Sequence, residues 1–168
     1  MAYVREILAD GHPTLRKVAK KVDPKEIREP LFQQLIDDMF ETMYAAPGVG
    51  LAAPQVNISK RLFVMDVHDD EHPPAVVINP KIERLEEEVE LREGCLSVPG
   101  MVGEIVRYQR AAVTGLDRLG QKIRIEGEGL LAQCLQHEID HLDGALYIDR
   151  AKNLRPVTTA EEEETPET

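Results

Sequence analysis

The chain of 168 residues holds only two cysteines, Cys95 and Cys134, so it has no disulfide framework and suits a reducing compartment. Long apolar runs are also missing. Residues 1–6 lack the apolar core of a secretory leader and no stretch approaches a membrane span, which points to the cytoplasm. Excess positive charge is absent: the formal net charge is -11, which argues against nonspecific nucleic-acid binding. There is no internal repeat and no mid-chain linker. With 42% hydrophobic content the chain can bury one core, so residues 1–156 are expected to form a single catalytic domain. Residues 161–168 carry four successive carboxylates, a proline and nothing apolar to bury. Residues 157–168 are therefore expected to be an acidic, disordered tail.

What the chain does contain is His137-Glu138-Ile139-Asp140-His141, an H-E-x-x-H motif. On a helix, two histidines four residues apart share one face, so both imidazoles can bind one metal ion while the glutamate reaches its bound water. The helix itself is signalled by the apolar run Leu130, Leu131, Cys134, Leu135 and Ile139, with Gly144 as the C-terminal cap. A catalytic site needs a third protein ligand and an open position. One extension of the motif would place a histidine where Tyr147 stands. Another would use a glutamate about twenty residues on, where Glu161 falls, but a solvated tail could not hold it against a metal. Cys134, three residues before His137, lies on the metal face of the helix, yet in an apolar run it reads as a small buried hydrophobe. Cys95 is flanked by Gly94 and Pro99, which mark a turn or strand end able to bring a side chain in from a distant element. By spacing alone, Cys95, Cys134 and Glu161 compete.

Three segments, in order, resemble the signature motifs of the peptide deformylases: Gly48-Val49-Gly50-Leu51-Ala52-Ala53-Pro54-Gln55, Glu93-Gly94-Cys95-Leu96-Ser97 and Gln136-His137-Glu138-Ile139-Asp140-His141-Leu142. The resemblance runs from Val4 to Asp149. It implies that Cys95, His137 and His141 hold the metal and that Cys134 belongs to a pocket or to the core. It further implies removal of the formyl group from the formyl-methionine of new polypeptides, with release of formate. A metal on one thiolate and two imidazoles makes hydroxide available near neutral pH to attack the formyl carbonyl. Glu138 would serve as general base and then general acid. The Gln55 amide and the Leu96 backbone N–H would meet the oxyanion. The peptide would lie extended beside Gly50, with its methionine in a pocket of Val49, Leu130 and Cys134. Glu93 and Arg107 would form a supporting charged pair. The ligand types favour Zn2+. The resemblance implies Fe2+, which Zn2+, Ni2+ or Co2+ replaces in handling. Some members dock on the ribosome through a basic C-terminal helix, but the acidic tail here would be repelled by RNA phosphate. A monomer with nascent formyl-methionyl peptides as partners is expected, without membrane or direct nucleic-acid binding. Two other classes stay open, an H-E-x-x-H zinc metallopeptidase and a noncatalytic domain with a structural metal.

Residues 48–53 also fit the loose G-x-G-x-x-G/A pattern of dinucleotide-binding loops, but such a loop follows a strand and opens a helix. Here residues 31–44 repeat apolar side chains at a helical period before it, Pro54 opposes a helix after it, and no Gly-Lys-Ser/Thr follows. On the sequence alone Gln55 could equally be an exposed polar residue. Strand-like runs follow at 61–67, 75–82, 88–92, 105–116 and 121–126. The expected fold class is α+β, an antiparallel or mixed sheet wrapped around the C-terminal helix that carries H-E-x-x-H. His12, His68 and His72 lie in polar loops and read as surface residues.

Overall fold

In the computed structural model, which describes residues 1–164, helix α1 spans Pro30–Ala45. Proline stands at its first position, where a missing N–H costs nothing, and Phe32, Leu35, Ile36, Met39 and Met43 recur along one buried face. The helix expected at 31–44 is longer by one residue at each end.

Among the described residues the six strands are β1 (Gly50–Ala52), β2 (Leu62–Met65), β3 (Ala75–Cys95), β4 (Val98–Leu116), β5 (Lys122–Glu128) and β6 (Lys152–Pro156). They follow the order β1-β2-β3-β4-β5, with β6 also paired to β4. All of these strand pairs are antiparallel. The runs expected at 75–82 and 88–92 are one continuous strand. Between them the apolar signal fades because Glu83, Glu86 and Glu87 face Arg124 and Arg110 in exposed ion pairs. Sequence reading also missed β1, whose Gly-Leu-Ala carries little strand propensity, and the largely exposed β6.

All four residues of β2 are buried, and alternation divides them between two cores. Leu62 and Val64, with Val76 and Ile78 of β3, pack with α1. Phe63 and Met65, with Val77, pack with helix α2 (Leu130–Leu142). A sheet covered on both faces explains an unbroken apolar run where a half-solvated strand would alternate. From Leu131 to Leu142 only Gln133 and Asp140 of α2 are not fully buried, so the sheet does wrap around the motif helix. The α+β expectation is met.

The segment from residue 157, expected to be an acidic tail, is exposed at Thr158, Thr159 and Ala160. Helix α3 spans Thr159–Glu164, and residues 165–168 lie outside the described residues. Thr158 and Glu161 form a capping box, in which the Glu161 N–H donates to Thr158 Oγ1 (3.2 Å) and the Thr158 N–H to Glu161 Oε1 (3.3 Å). The Glu161 carboxylate also accepts from Arg155 (2.5 Å) and pairs with Arg92 (3.3 Å). No helix among the described residues is long and apolar enough to cross a membrane.

Helix α2 ends at Gly144, whose φ of +77° suits glycine, and a Cβ there would lie 2.6 Å from the Arg16 carbonyl oxygen. Gly144→Ala is expected to lower stability by about 2–4 kcal/mol, the sum of left-handed strain and forced displacement of backbone, measured by denaturant unfolding.

Candidate metal centre

One turn apart on α2, His137 and His141 face each other edge to face, with ring centroids 4.8 Å apart and Nε2 atoms 3.0 Å apart. Cys95 comes from the last position of β3. There β3 and β4 form a hairpin closed by the two residues Leu96 and Ser97, with Cys95 opposite Val98. Its Sγ lies 3.4 Å from His141 Nε2. The donor atoms of Cys95, His137 and His141 all fall within 4.8 Å of one another, and all three residues are buried. The other candidates are not brought there. Cys134 Sγ is directed to the Val49 carbonyl (3.7 Å) inside the core, Tyr147 stacks on the His137 ring, and Glu161 is held by Arg155 and Arg92. His12 instead caps the turn at Thr14, and His68 and His72 pair with Asp66 and Asp69.

His137 Nδ1 lies 2.6 Å from Glu93 Oε2. Donation of its N–H to that carboxylate fixes the tautomer and leaves Nε2 as the lone-pair donor, the arrangement a metal-binding imidazole requires. Glu93 in turn accepts from Arg107 Nε (3.0 Å) and Nη2 (2.6 Å), and from Gln133 (3.2 Å). Arg107 Nη1 donates to Asp140 (2.7 Å), which also accepts from Arg150 (2.8 Å). Burial opposes charge on Glu93, but the facing His137 and Arg107 hold its carboxyl far below the usual carboxylate range. Burial likewise opposes a charged His137, yet Glu93 and Cys95 push its pKa well above the ordinary value. At His141 burial and the neighbouring His137 act together and push the pKa well down.

The remaining predicted residues lie around this cluster. Glu138 is fully buried, and Gly50 of β1 is pressed against it: a Cβ at Gly50 would stand 2.6 Å from Glu138 Oε2 and 2.9 Å from Cys134 Sγ. At one end of the sheet, β1 pairs with β2 alone, so its other edge carries no strand among the described residues. Gln55, an even bet for exposure by sequence, is fully buried in the 3-10 turn Ala53–Val56. Its Oε1 accepts from the Ala52 N–H (2.9 Å), which turns Nε2 toward Ser97 Oγ (3.1 Å) and Cys95 Sγ (3.8 Å). Leu96 packs its side chain against the α1 core, and its backbone lies in the turn beside Cys95. Val49 and Cys134 are buried together, with Leu130 packed against the same cluster.

Residues 4–157 match the family model described as polypeptide deformylase. The chain belongs to the polypeptide deformylase family. A peptide deformylase of Symbiobacterium thermophilum is 53% identical over 161 residues, which cover 96% of this chain and 73% of the relative. One from Pseudomonas aeruginosa is 48% identical, covering 90% of this chain and 89% of the relative. Among solved structures, a peptide deformylase from Legionella pneumophila superimposes with a TM-score of 0.83 at 49% identity, over 89% of this chain and 87% of that one. A Synechococcus elongatus peptide deformylase in complex with actinonin gives 0.82 at 44% identity, over 89% and 81%. The match reaches past the expected limit at Asp149 and takes in β6.

Within this deformylase-family chain, sequence reading missed Ser97, Gln133 and Asp140 as partners of the central residues. Ser97 donates its backbone N–H to Cys95 Sγ (3.4 Å) and accepts from Gln55. Gln133 and Asp140 flank His137 at positions i−4 and i+3, a helical phase that could have placed them on its side. Gly50→Ala is expected to cost about 1–3 kcal/mol, the usual penalty of overpacking. Unfolding free energy measures it, and an unchanged value would mean that the Glu138 carboxylate moves aside without cost.

Proposed function

We propose that Cys95, His137 and His141 together hold one divalent ion and that Glu138 carries protons in hydrolysis of the formyl group. The family makes the chain a metal-dependent hydrolase that removes the N-formyl group from nascent polypeptides. The observation that carries the site reading is the convergence of one thiol and two imidazoles in the interior, with the buried Glu138 next to His137 in the chain. The donor set fits a divalent transition metal, since a thiolate and two neutral imidazoles suit such ions, and three protein donors leave a position for the reacting groups.

When bound, the ion supplies Lewis acidity, which polarises a carbonyl and makes hydroxide available near neutral pH. Glu138 takes the proton from the attacking water and passes it to the departing amine as the formyl C–N bond breaks, releasing formate. The Gln55 side-chain N–H and the Leu96 backbone N–H donate to the carbonyl oxygen as negative charge builds on it. Gln55 is suited to this because its own oxygen is already engaged by Ala52, so its orientation is set before substrate arrives. The open edge of β1 at Gly50 takes the extended peptide through backbone hydrogen bonds that read few side chains, and Val49, Leu130 and Cys134 take the methionine. Substrate of this kind arises in the cytoplasm, where the chain works as a monomer. The carboxylates of residues 161–164 would be repelled by RNA phosphate.

The ion we assign is Fe2+, from the resemblance of the three motifs, with Ni2+ and Co2+ as functional replacements and Zn2+ as a poorer one. Glu138→Ala should retain the metal and lose about 10²–10⁴ in formate release from formyl-Met-Ala. Activity within about tenfold of the parent removes the general-base role. Cys95→Ser should lose most of its metal, while Cys134→Ala and truncation after Pro156 keep it, as metal stoichiometry will decide. Followed in air and under argon, the iron form should decay with oxidation of iron and Cys95 while the nickel form persists. Equal lifetimes, or full activity with zinc alone, would overturn the iron assignment.

A further inference from the structure

Asp140 occupies one of the two variable positions of the H-E-x-x-H motif and has no part in the reaction above, yet its carboxylate is the meeting point of two guanidinium groups. Its Oδ2 accepts from Arg107 Nη1 at 2.7 Å and from Arg150 Nη2 at 2.8 Å. Through Arg107 it joins Glu93, and through Glu93 it joins His137 Nδ1. The path is closed. It leaves α2 at His137, crosses β3 at Glu93 and β4 at Arg107, and returns to α2 at Asp140, three residues beyond its start. Charges alternate along it, from Glu93 to Arg107 to Asp140 to Arg150. Side-chain exposure rises outward from 2% and 3% at Glu93 and Arg107 to 25% at Asp140 and 57% at Arg150.

We infer that Asp140 is a positioning residue for the metal ligand His137, acting through Arg107 and Glu93, with Arg150 as its outer latch. The reason is geometric. Glu93 can press on Nδ1 of His137 in one orientation only while the plane of Arg107 is fixed, and the fork of Arg107 on Glu93 leaves that plane free to swing with the carboxylate. The third bond, from Nη1 to Asp140, refers the plane back to the helix that carries the imidazole. The ring of His137 is thereby set relative to its own helix, and so is the direction of Nε2 toward Cys95 and His141. Arg150 donates to the same Asp140 oxygen from the outer side and so holds in place the carboxylate on which Arg107 is anchored. Partners of this kind, one shell outside the ligands, commonly govern 10–100-fold in metal affinity or activity.

The inference rests on the metal-site reading above, and the test separates the two. Full-length parent, Asp140→Ala, Asp140→Asn and Arg150→Gln are loaded with Co2+, and transfer of the ion to excess chelator, the visible Co2+ spectrum, and kcat and KM for formyl-Met-Ala are recorded. Asp140→Ala should release the ion about 10–100-fold faster, shift the Co2+ bands and lower kcat with KM within about twofold. Asp140→Asn keeps an oxygen acceptor for Arg107 and should recover most of the loss, and Arg150→Gln should show a smaller loss in the same direction. A parent that takes up no ion overturns the site reading together with this inference. Parental release rates and spectra in both Asp140→Ala and Arg150→Gln overturn the inference alone, even where the melting temperature falls. Should Asp140→Ala not fold, Arg150→Gln, altered at an exposed guanidinium, decides on the same readouts.

Discussion

Glu93 keeps a negative charge in an interior where its side chain is 2% exposed, and it can do so because His137, Arg107 and Gln133 all donate to it. An unpaired carboxylate there would neutralise itself, and removing one partner of such a pair typically costs 3–5 kcal/mol. The same bonds fix which His137 nitrogen carries hydrogen. The charge that is most expensive to bury is therefore the one that prepares the imidazole to donate a lone pair, so stability and metal chemistry depend on the same few atoms.

The architecture follows from the need to surround that charge. A helix buried on nearly every side must be enclosed by other elements, and the long hairpin of β3 and β4 does this while delivering Glu93, Cys95 and Arg107 from two adjacent strands. Short β1 brings Gly50 against Glu138, where the absence of a Cβ is what allows the contact. The 3-10 turn after β1 then carries the Gln55 amide to within 3.8 Å of Cys95 Sγ. Helix α2 supplies His137, Glu138 and His141, the strands and the turn supply the rest, and removing Arg107 would take two donors from the buried Glu93 carboxylate.

Much of this was legible beforehand. H-E-x-x-H named two donors and a carboxylate because helical periodicity is a local property, and apolar spacing placed α1 to within one residue for the same reason. The site's third donor was not legible by spacing, since Cys95 lies 42 residues from His137 and only the hairpin closes that distance. The strand through residues 83–87 was obscured because its side chains answer charges on neighbouring strands instead of a core. The acidic end read as solvated because its composition is polar. The Thr158 and Glu161 capping box was present in the sequence but unread, and the arginines that meet Glu161 come from β3 and β6.

The sequence by itself determined the chemistry, the donor types, the carboxylate beside them and the family, because these depend on residue identity and on spacing within one or two helical turns. Tertiary structure alone decided that Cys95 and not Cys134 meets the imidazoles, that Gln55 is buried and aimed, and that Asp140 is joined to His137 through two strands. Those outcomes depend on the directions in which side chains leave β3, β4 and α2 once packed, and direction across elements is set by sheet register and helix phase, which no local pattern encodes.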